Sequence, residues 1–498
     1  MPSEGNPLCL SLLPTRIEDL EEWAPQSRDA DMVELRLDRF PHPDLNRLRR
    51  LFPQPLIYTC RLVSEGGGWH DASEKRVPLF QAAIDAGFEF IDVEFDSVTR
   101  ILPQLSFSGK TRLILSHHTQ EVGYAALNVK LRQMLEVPAE VYKLIYQAYH
   151  LNDNLITLEL IDSARKKGVR YLIHAMGEEG QLSRILGALR GNAWTYVAFR
   201  PTKETASGQL TFQSARYHYF LTDKTSPARL IGLVGYPIRQ SKGYRLHNLL
   251  FQQKLPPKLR RSFLYVNFPV KEWPAFWQAW KEQVYGLSIT LPHKEAVVAY
   301  LDEKSPGVRI SGVCNTMVRS RNGWKGHNTD LFAIENLLKP YKPLLKEGAV
   351  IIGTGATARS AIAALKRLEV YPIVVTGRNL ERGQWLARWF GINFLTFSEV
   401  QGISASVIIQ TTPVGMFPEV DQVPPGVELL KKDRIVLDVV YNPHKTRFLQ
   451  IAEERGCRIL SGVDMFLLQA ARQFKLFTGE SVSVSEVKEA WEKISFFN

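Results

Sequence analysis

Leu221–Arg245 reads LTDKTSPARLIGLVGYPIRQSKGYR, and the chain divides around it. A polar run, Thr222 to Ser226, closes at Pro227, and the apolar Leu230-Ile231-Gly232-Leu233-Val234 follows at once. Polar residues ended by proline and followed by a fresh buried strand mark a seam between domains, or else a surface loop inside one large domain. The flanks decide between the two. Each reads as a complete α/β unit with its own chemistry.

The totals bound what those units can be. A chain of 498 residues has room for more than one core. Its 45% hydrophobic and 23% charged residues are those of a soluble globular protein. No apolar run nears the ~18–20 residues of a membrane span. The start, MPSEGNPLCLSLLPT, has neither the basic and apolar regions of a signal peptide nor the Arg and Ser of a transit peptide, so a cytoplasmic location is expected. Cys9, Cys60, Cys314 and Cys457 are scattered with no CxxC, which favours buried reduced thiols over disulfides or a metal site. The net charge of +11 suits anionic ligands. Lys and Arg come singly or in short groups such as Arg49-Arg50 and Lys166-Lys167, not in the basic blocks that bind nucleic acid. Small molecules are the expected partners, with no nucleic acid and no membrane, and the chain is expected to act as a monomer or weak homodimer.

On the left, the apolar runs CLSLL, MVELRL, PLIYTC, FIDVEF, RLILSH, VYKLIY, RYLIHA and WTYVAF alternate with segments long enough for helices, such as Leu155 to Lys167. Eight β–α units predict a (β/α)8 barrel, whose chemistry gathers at the C-terminal ends of the strands. Those ends offer Glu34, Arg36, Arg61, Glu94, His117, His118, Lys143 and Met176, and a polar loop from Thr205 to Gln209 follows the last strand. A lysine inside VYKLIY is costly to bury. It is either an edge-strand lysine reaching water or an amine whose pKa desolvation and neighbouring arginines depress, ready to attack a carbonyl.

The pieces VELRLD, YTCR, IDVE, SHH, YKLIYQA, LSRILG and ASGQ, in that order over roughly residues 7–220, resemble the type I 3-dehydroquinate dehydratases. That resemblance implies a Schiff-base lysine at Lys143 and a proton shuttle at His118, oriented by Glu94. It also implies a clamp on substrate carboxylate and hydroxyls from Ser11, Glu34, Arg36, Arg61, Arg184, Thr205 and Gln209. Thr119 and Ser207 depart from the family pattern in the loops.

On the right, GLVGYPIRQSKGYRLHN reads as strand, turn and helix, and the Trp-rich Glu272–Trp280 as a core-packed helix. GLSITLPHK places Thr290 and Lys294 at a strand end, and GVCNT and GHNTD add Asn315 and Asp330, each of which alone could be ordinary turn chemistry. The run from Ala349 to Arg359 follows G-x-G-x-x-G/A through Gly353, Gly355 and Ala358, between an apolar strand and a helix from Ser360 to Leu368. The next strand, Pro372 to Thr376, ends in Gly377-Arg378-Asn379 with no acidic residue for a ribose 2′-OH. Arg378, with Arg382 one turn on, suits a 2′-phosphate, so NADP is expected over NAD.

With YPIxxS, TTPVGM, LDVVYNP and GVDMFLLQAA in the same order, residues 229–498 resemble the shikimate dehydrogenases. By that resemblance Lys294 and Asp330 are the catalytic pair. Ser241, Thr290, Asn315, Tyr441 and Gln469 contact substrate, and Gly353, Gly355, Ala358, Arg378, Asn379, Arg382 and Thr412 bind NADP. Gly243 stands where that family has a second serine, which implies a weaker grip on the shikimate carboxylate and some tolerance for quinate.

Together these imply a barrel at 1–222 that dehydrates 3-dehydroquinate. It would be fused to a substrate lobe at 229–330, completed by 462–498, and to a Rossmann NADP lobe at 331–461, which reduce 3-dehydroshikimate. No metal is expected. A metabolite sensor that lost catalysis would lack some of Lys143, His118, Lys294 and Asp330, all of which are present. A class I aldolase barrel fused to a generic reductase would lack the ordered Arg, Glu and His set.

Overall fold

The computed structural model describes residues 5–107, 109–224, 228–238 and 240–496, so Thr225–Pro227 of the seam lie outside the described residues. The chain forms two compact units, Met1–Arg229 with Leu255–Leu264, and Leu230–Lys254 with Tyr265–Asn498.

The apolar runs of the first unit are its strands: β1 (Leu8–Leu12), β2 (Met32–Arg36), β3 (Leu56–Thr59), β4 (Phe90–Glu94), β5 (Arg112–Thr119), β6 (Val141–Gln147), β7 (Tyr171–Met176) and β8 (Thr195–Ala198), with a short β9 (Leu210–Thr211). They lie in the order β7-β6-β5-β4-β3-β2-β1-β8-β9, and the pairs are parallel. A side chain bridges the remaining seam. Asn192 donates to the Ile173 carbonyl and accepts from the Ile173 N–H, both at 3.0 Å, and the Ala193 N–H reaches Tyr171 O at 2.8 Å. The amide of Asn192 thus stands in for a strand peptide group and closes the (β/α)8 barrel.

Strand periodicity sorts the side chains. On β6, Tyr142, Leu144 and Tyr146 pack outward in a core with Leu127, Leu131, Leu160 and Ile161 of the surrounding helices. Val141 and Ile145 point inward, into a floor shared with Cys9, Met32, Ile57, Ile114, Leu172 and Trp194. Lys143 lies between them, so it too faces inward. The same step of two from the floor brings in Ser11, Glu34, Asp92, Ser116, His174 and Tyr196. A further step on β3, β4 and β5 reaches Arg61, Glu94 and His118. An apolar floor therefore carries a polar layer at the strands' C-terminal ends.

From Arg229 on, the chain forms two further sheets. The first contains β10 (Arg229–Gly235), β11 (Phe263–Pro269), β12 (Gly286–Ile289), β13 (Glu303–Lys304), β14 (Thr316–Ser320) and β15 (Gly323–His327), in the order β11-β10-β12-β14-β15-β13. The helix Trp273–Trp280 buries Trp273, Phe276 and Trp280, one face of an amphipathic helix. The second sheet contains β16 (Ala349–Ile352), β17 (Ile373–Thr376), β18 (Asn393–Phe394), β19 (Val407–Gln410), β20 (Ile435–Asp438) and β21 (Arg458–Leu460). Its order, β18-β17-β16-β19-β20-β21, all parallel, is that of a Rossmann sheet with its switch point between β16 and β19. The helix after β16 spans Ala356–Arg367 and begins four residues before the expected Ser360. Ala356, Thr357 and Ala358 form its first turn instead of a loop. All four cysteines are free and buried, and burial pushes the thiols of Cys60 and Cys314 up to about 12.

Candidate active sites

Lys143 is 5% exposed on β6, and its Nζ donates to Asp92 Oδ2 at 2.9 Å, with Glu34 Oε1 at 3.6 Å and the Tyr196 ring centroid at 4.4 Å. Asp92 in turn meets Arg61 Nη2 at 2.7 Å and accepts from Ser116 Oγ at 2.6 Å. Arg61 and Lys143 hold its carboxyl well below the usual carboxylate range against the opposing effect of burial. From Glu34 the network continues to Ser11 Oγ at 2.5 Å, then to Thr205 Oγ1 at 2.7 Å, which also accepts from Gln209 Nε2 at 3.1 Å.

On the other flank, His118 Nδ1 lies 2.9 Å from Glu65 Oε2. Burial pushes the imidazole well below its usual pKa, and the nearby cations Arg61, Lys143 and Arg36 push it further. Burial pushes the Glu65 carboxyl up to about 8. The ring is therefore neutral at neutral pH and suited to take a proton. Arg184 is 2% exposed and meets His174 Nε2 and the Ser207 carbonyl, each at 3.3 Å. Among the described residues it has no carboxylate partner, and its Nε has no hydrogen bond. Burial alone pushes its guanidinium down to about 9. A buried cation with no anion is a place for one.

In the second unit, the turn after β12 carries Thr290 and Lys294. Lys294 Nζ donates to Asp330 Oδ2 at 2.7 Å, and Asn315 Nδ2 donates to Asp330 Oδ1 at 2.8 Å. Asp330 stands in the first turn of the helix Thr329–Leu338, capped by Asn328. Thr329 Oγ1 ties this group to Gln469 Oε1 at 3.3 Å. Ser241 lies near the hydroxyl of the partly buried Tyr441, whose ring stacks on Phe466.

The loop after β16 has room for a pyrophosphate. Gly353 has φ +119, and a Cβ there would lie 2.5 Å from Thr411 Oγ1 and 3.1 Å from the Thr412 methyl. A Cβ on Gly355 would meet nothing within 4 Å. Thr376 Oγ1, at the end of β17, is buried without a hydrogen-bond partner among the described residues. Asn379 caps the helix Leu380–Phe390 by accepting from the Arg382 N–H at 2.8 Å. Arg378 is exposed and makes no ion pair among the described residues. A dinucleotide bearing a 2′-phosphate fits these groups.

Known proteins match in the same two blocks. The model of the type I 3-dehydroquinase family matches residues 8–226. That of the shikimate dehydrogenase substrate binding domain matches 233–317, and that of the shikimate 5′-dehydrogenase C-terminal domain 462–490. A bifunctional 3-dehydroquinate dehydratase/shikimate dehydrogenase, chloroplastic, of Arabidopsis thaliana is 29% identical, over 90% of this chain and 78% of its own. A shikimate dehydrogenase (NADP(+)) of Desulforamulus reducens is 33% identical, over 53% of this chain and 95% of its own. The chain joins a type I 3-dehydroquinase to a member of the shikimate dehydrogenase family.

Within the dehydroquinase barrel, three expectations change. Glu94 does not orient His118. It lies 2.6 Å from Arg76 Nη1 and 3.4 Å from Arg61 Nη1, and accepts the Leu62 N–H at 3.0 Å. Glu65 takes the histidine instead, from the short helix Val63–Glu65 after β3. The glycines behind it set its place. Gly66 has φ +79, and a Cβ on Gly67 would fall 2.0 Å from the Arg61 carbonyl, so only glycine turns the chain back over the barrel mouth. Second, the charges nearest Lys143 are carboxylates, not arginines. Asp92 stands two residues before Glu94 on the inner face and was legible from that spacing. Third, Arg36 is already paired, with Asp38 at 2.8 Å, and of the expected clamp arginines Arg184 is the one without a carboxylate.

In the dehydrogenase unit, Lys294, Asp330, Asn315 and Gln469 share one network through Thr329. Arg382 is not free. It pairs with Glu295 and donates to the Thr354 carbonyl at 2.6 Å.

Proposed function

We propose that the barrel dehydrates 3-dehydroquinate through a Schiff base on Lys143, and that the second unit reduces the resulting 3-dehydroshikimate with NADPH. The observation that carries the reading is Lys143, buried on an inner strand beside a neutral His118, with the unmatched cation of Arg184 in the same barrel.

Lys143 Nζ adds to the substrate C3 ketone, and loss of water leaves an iminium that acidifies the C2 proton. His118 takes that proton. The resulting enamine forms the C1–C2 double bond as the C1 hydroxyl departs, and the proton on His118 leaves with it as water. Hydrolysis of the iminium frees Lys143. Arg184 holds the carboxylate, while Ser11, Glu34, Arg36, Arg61, Thr205 and Gln209 position the hydroxyls and the amine.

In the second unit the sheet around β12 serves as substrate lobe and the Rossmann sheet as NADP lobe. Ser241, Thr290, Asn315, Tyr441 and Gln469 hold the ring. NADPH, when bound, supplies hydride to C3. Lys294 gives the C3 oxygen its proton, with Asp330 and Asn315 fixing the ammonium. Gly353, Gly355, Ala358 and Thr412 leave space for the pyrophosphate, and Asn379 and Arg378 face the adenosine ribose. Among the described residues no helix is long and apolar enough to cross a membrane. This reading places the enzyme in the cytoplasm, as a monomer or weak homodimer.

The test is one cuvette with purified protein, dehydroquinate and NADPH. Nicotinamide absorbance falls if both activities are present, and falls more slowly with NADH. Adding dehydroshikimate directly separates the halves, and no fall with either compound overturns the reading.

A further inference from the structure

Glu295 follows Lys294 immediately, yet both its oxygens point to the nucleotide lobe. Oε2 lies 2.8 Å from Arg359 Nη1, and Oε1 pairs with Arg382 Nη2. The two arginines differ in freedom. Arg359 is fixed: its side chain is 5% exposed, its Nε donates to the Ser311 carbonyl at 2.8 Å, and its guanidinium lies 4.1 Å from the Trp389 ring centroid. Arg382 is 42% exposed, in the first turn of the helix whose cap, Asn379, adjoins the expected 2′-phosphate site.

We propose that Glu295 and the coenzyme 2′-phosphate compete for Arg382, so that Glu295 tunes the coenzyme preference of the dehydrogenase. This rests on the NADP reading. The carboxylate opposes the phosphate twice, by occupying Arg382 and by like-charge repulsion. Arg359 retains Glu295 through Oε2, so Arg382 can turn to a phosphate without leaving the carboxylate unpaired. By linkage, the phosphorylated coenzyme loosens one of two ties on the turn that carries Lys294. Glu295 is thus a specificity-determining residue outside the glycine loop.

Calorimetric titration of the full chain with 2′,5′-ADP and with 5′-AMP tests this directly. Glu295→Gln binds 2′,5′-ADP about threefold to tenfold tighter than the parent, the span of a half-exposed ion pair, with 5′-AMP unchanged. The gain shrinks as salt rises. In an Arg382→Gln background the gain shrinks to the share that like-charge repulsion supplies. Unchanged 2′,5′-ADP affinity, an equal change for both nucleotides, or a full gain without Arg382 each overturns the proposal. Glu295→Ala gives the same comparison should the Gln variant fold poorly. A parent protein that binds 5′-AMP as well as 2′,5′-ADP removes the NADP reading instead, which is a distinct outcome.

Discussion

Glu65 Oε2 accepts the His118 peptide N–H at 3.0 Å and lies 2.9 Å from the Nδ1 of the same residue, although 53 positions separate the two in sequence. One carboxylate oxygen thus fixes both backbone and ring, leaving Nε2 for the substrate. Glu65→Gln keeps the shape and removes the ionisable carboxyl. It should lower dehydration kcat by about 10²-fold while borohydride still traps substrate on Lys143 and dehydroshikimate reduction is unchanged. A Gln variant with parental kcat would show that His118 needs no carboxylate. Glu94→Gln should behave differently. It leaves the buried Arg76 without its carboxylate, while Arg61 keeps Asp92, a loss of about 3–5 kcal/mol in stability that thermal unfolding would read.

The shifted His118 sets a pH dependence. Its neutral form persists below the ordinary ~6.5, so the acid limb of dehydratase kcat/KM should lie below that value. A limb at or above it counts against His118 as the base. Stability follows the same sign: the unfolded ring binds a proton as pH falls through ~6.5 and the folded ring does not, so stability is lost on acidification. Glu65 runs the other way. Raised from 4.5 to about 8, it contributes stability below its unfolded value that is lost as pH rises through about 8.

Arg184 sets stability against function. Burial without an anion destabilises its charge, so Arg184→Met should raise the melting temperature of the free enzyme. The same change removes charge-assisted bonds worth about 1.5–3 kcal/mol each and should raise the KM for dehydroquinate by about 10- to 100-fold. Calorimetric melting and steady-state kinetics check the two halves. A lower melting temperature would mean that Arg184 is already matched in the free protein.

The barrel strands were readable because each buried strand is a continuous apolar run, and inward lysines or acids interrupt such runs visibly. Lys143 could be read for that reason. Glu65 could not, because no periodicity locates a loop residue. Its place depends on how Gly66 and Gly67 turn the chain, and a rule that takes site residues from strand ends selects Glu94 on β4 instead. The neighbours of Lys143 were misjudged for a related reason. Arg61 is near in the barrel, but Asp92 stands between the two cations, on the face that its step of two from Glu94 on β4 assigns it. The glycine loop after β16 was legible from its strand–turn–helix context, whereas the Glu295–Arg382 pair joins residues 87 apart and leaves no local trace.

Gly243 opens the helix Gly243–Lys254, is buried, and donates its N–H to Ser241 Oγ at 3.4 Å. A Cβ built there meets only that Oγ, at 3.5 Å, an ordinary contact, so a serine fits without displacing its surroundings. A second hydroxyl beside Ser241 would add a donor for the shikimate carboxylate. A hydrogen bond to a charged group is worth about 1.5–3 kcal/mol. Glycine leaves that donor out and leaves volume for water, or for the additional C1 hydroxyl of quinate. Gly243→Ser should therefore lower the KM for shikimate by about tenfold and suppress any oxidation of quinate, with thermal stability little changed. Steady-state assays with NADP and each acid in turn read the result. Unchanged kinetics with both acids would place position 243 away from the carboxylate, and the specificity would then lie with Thr290 and Lys294 alone.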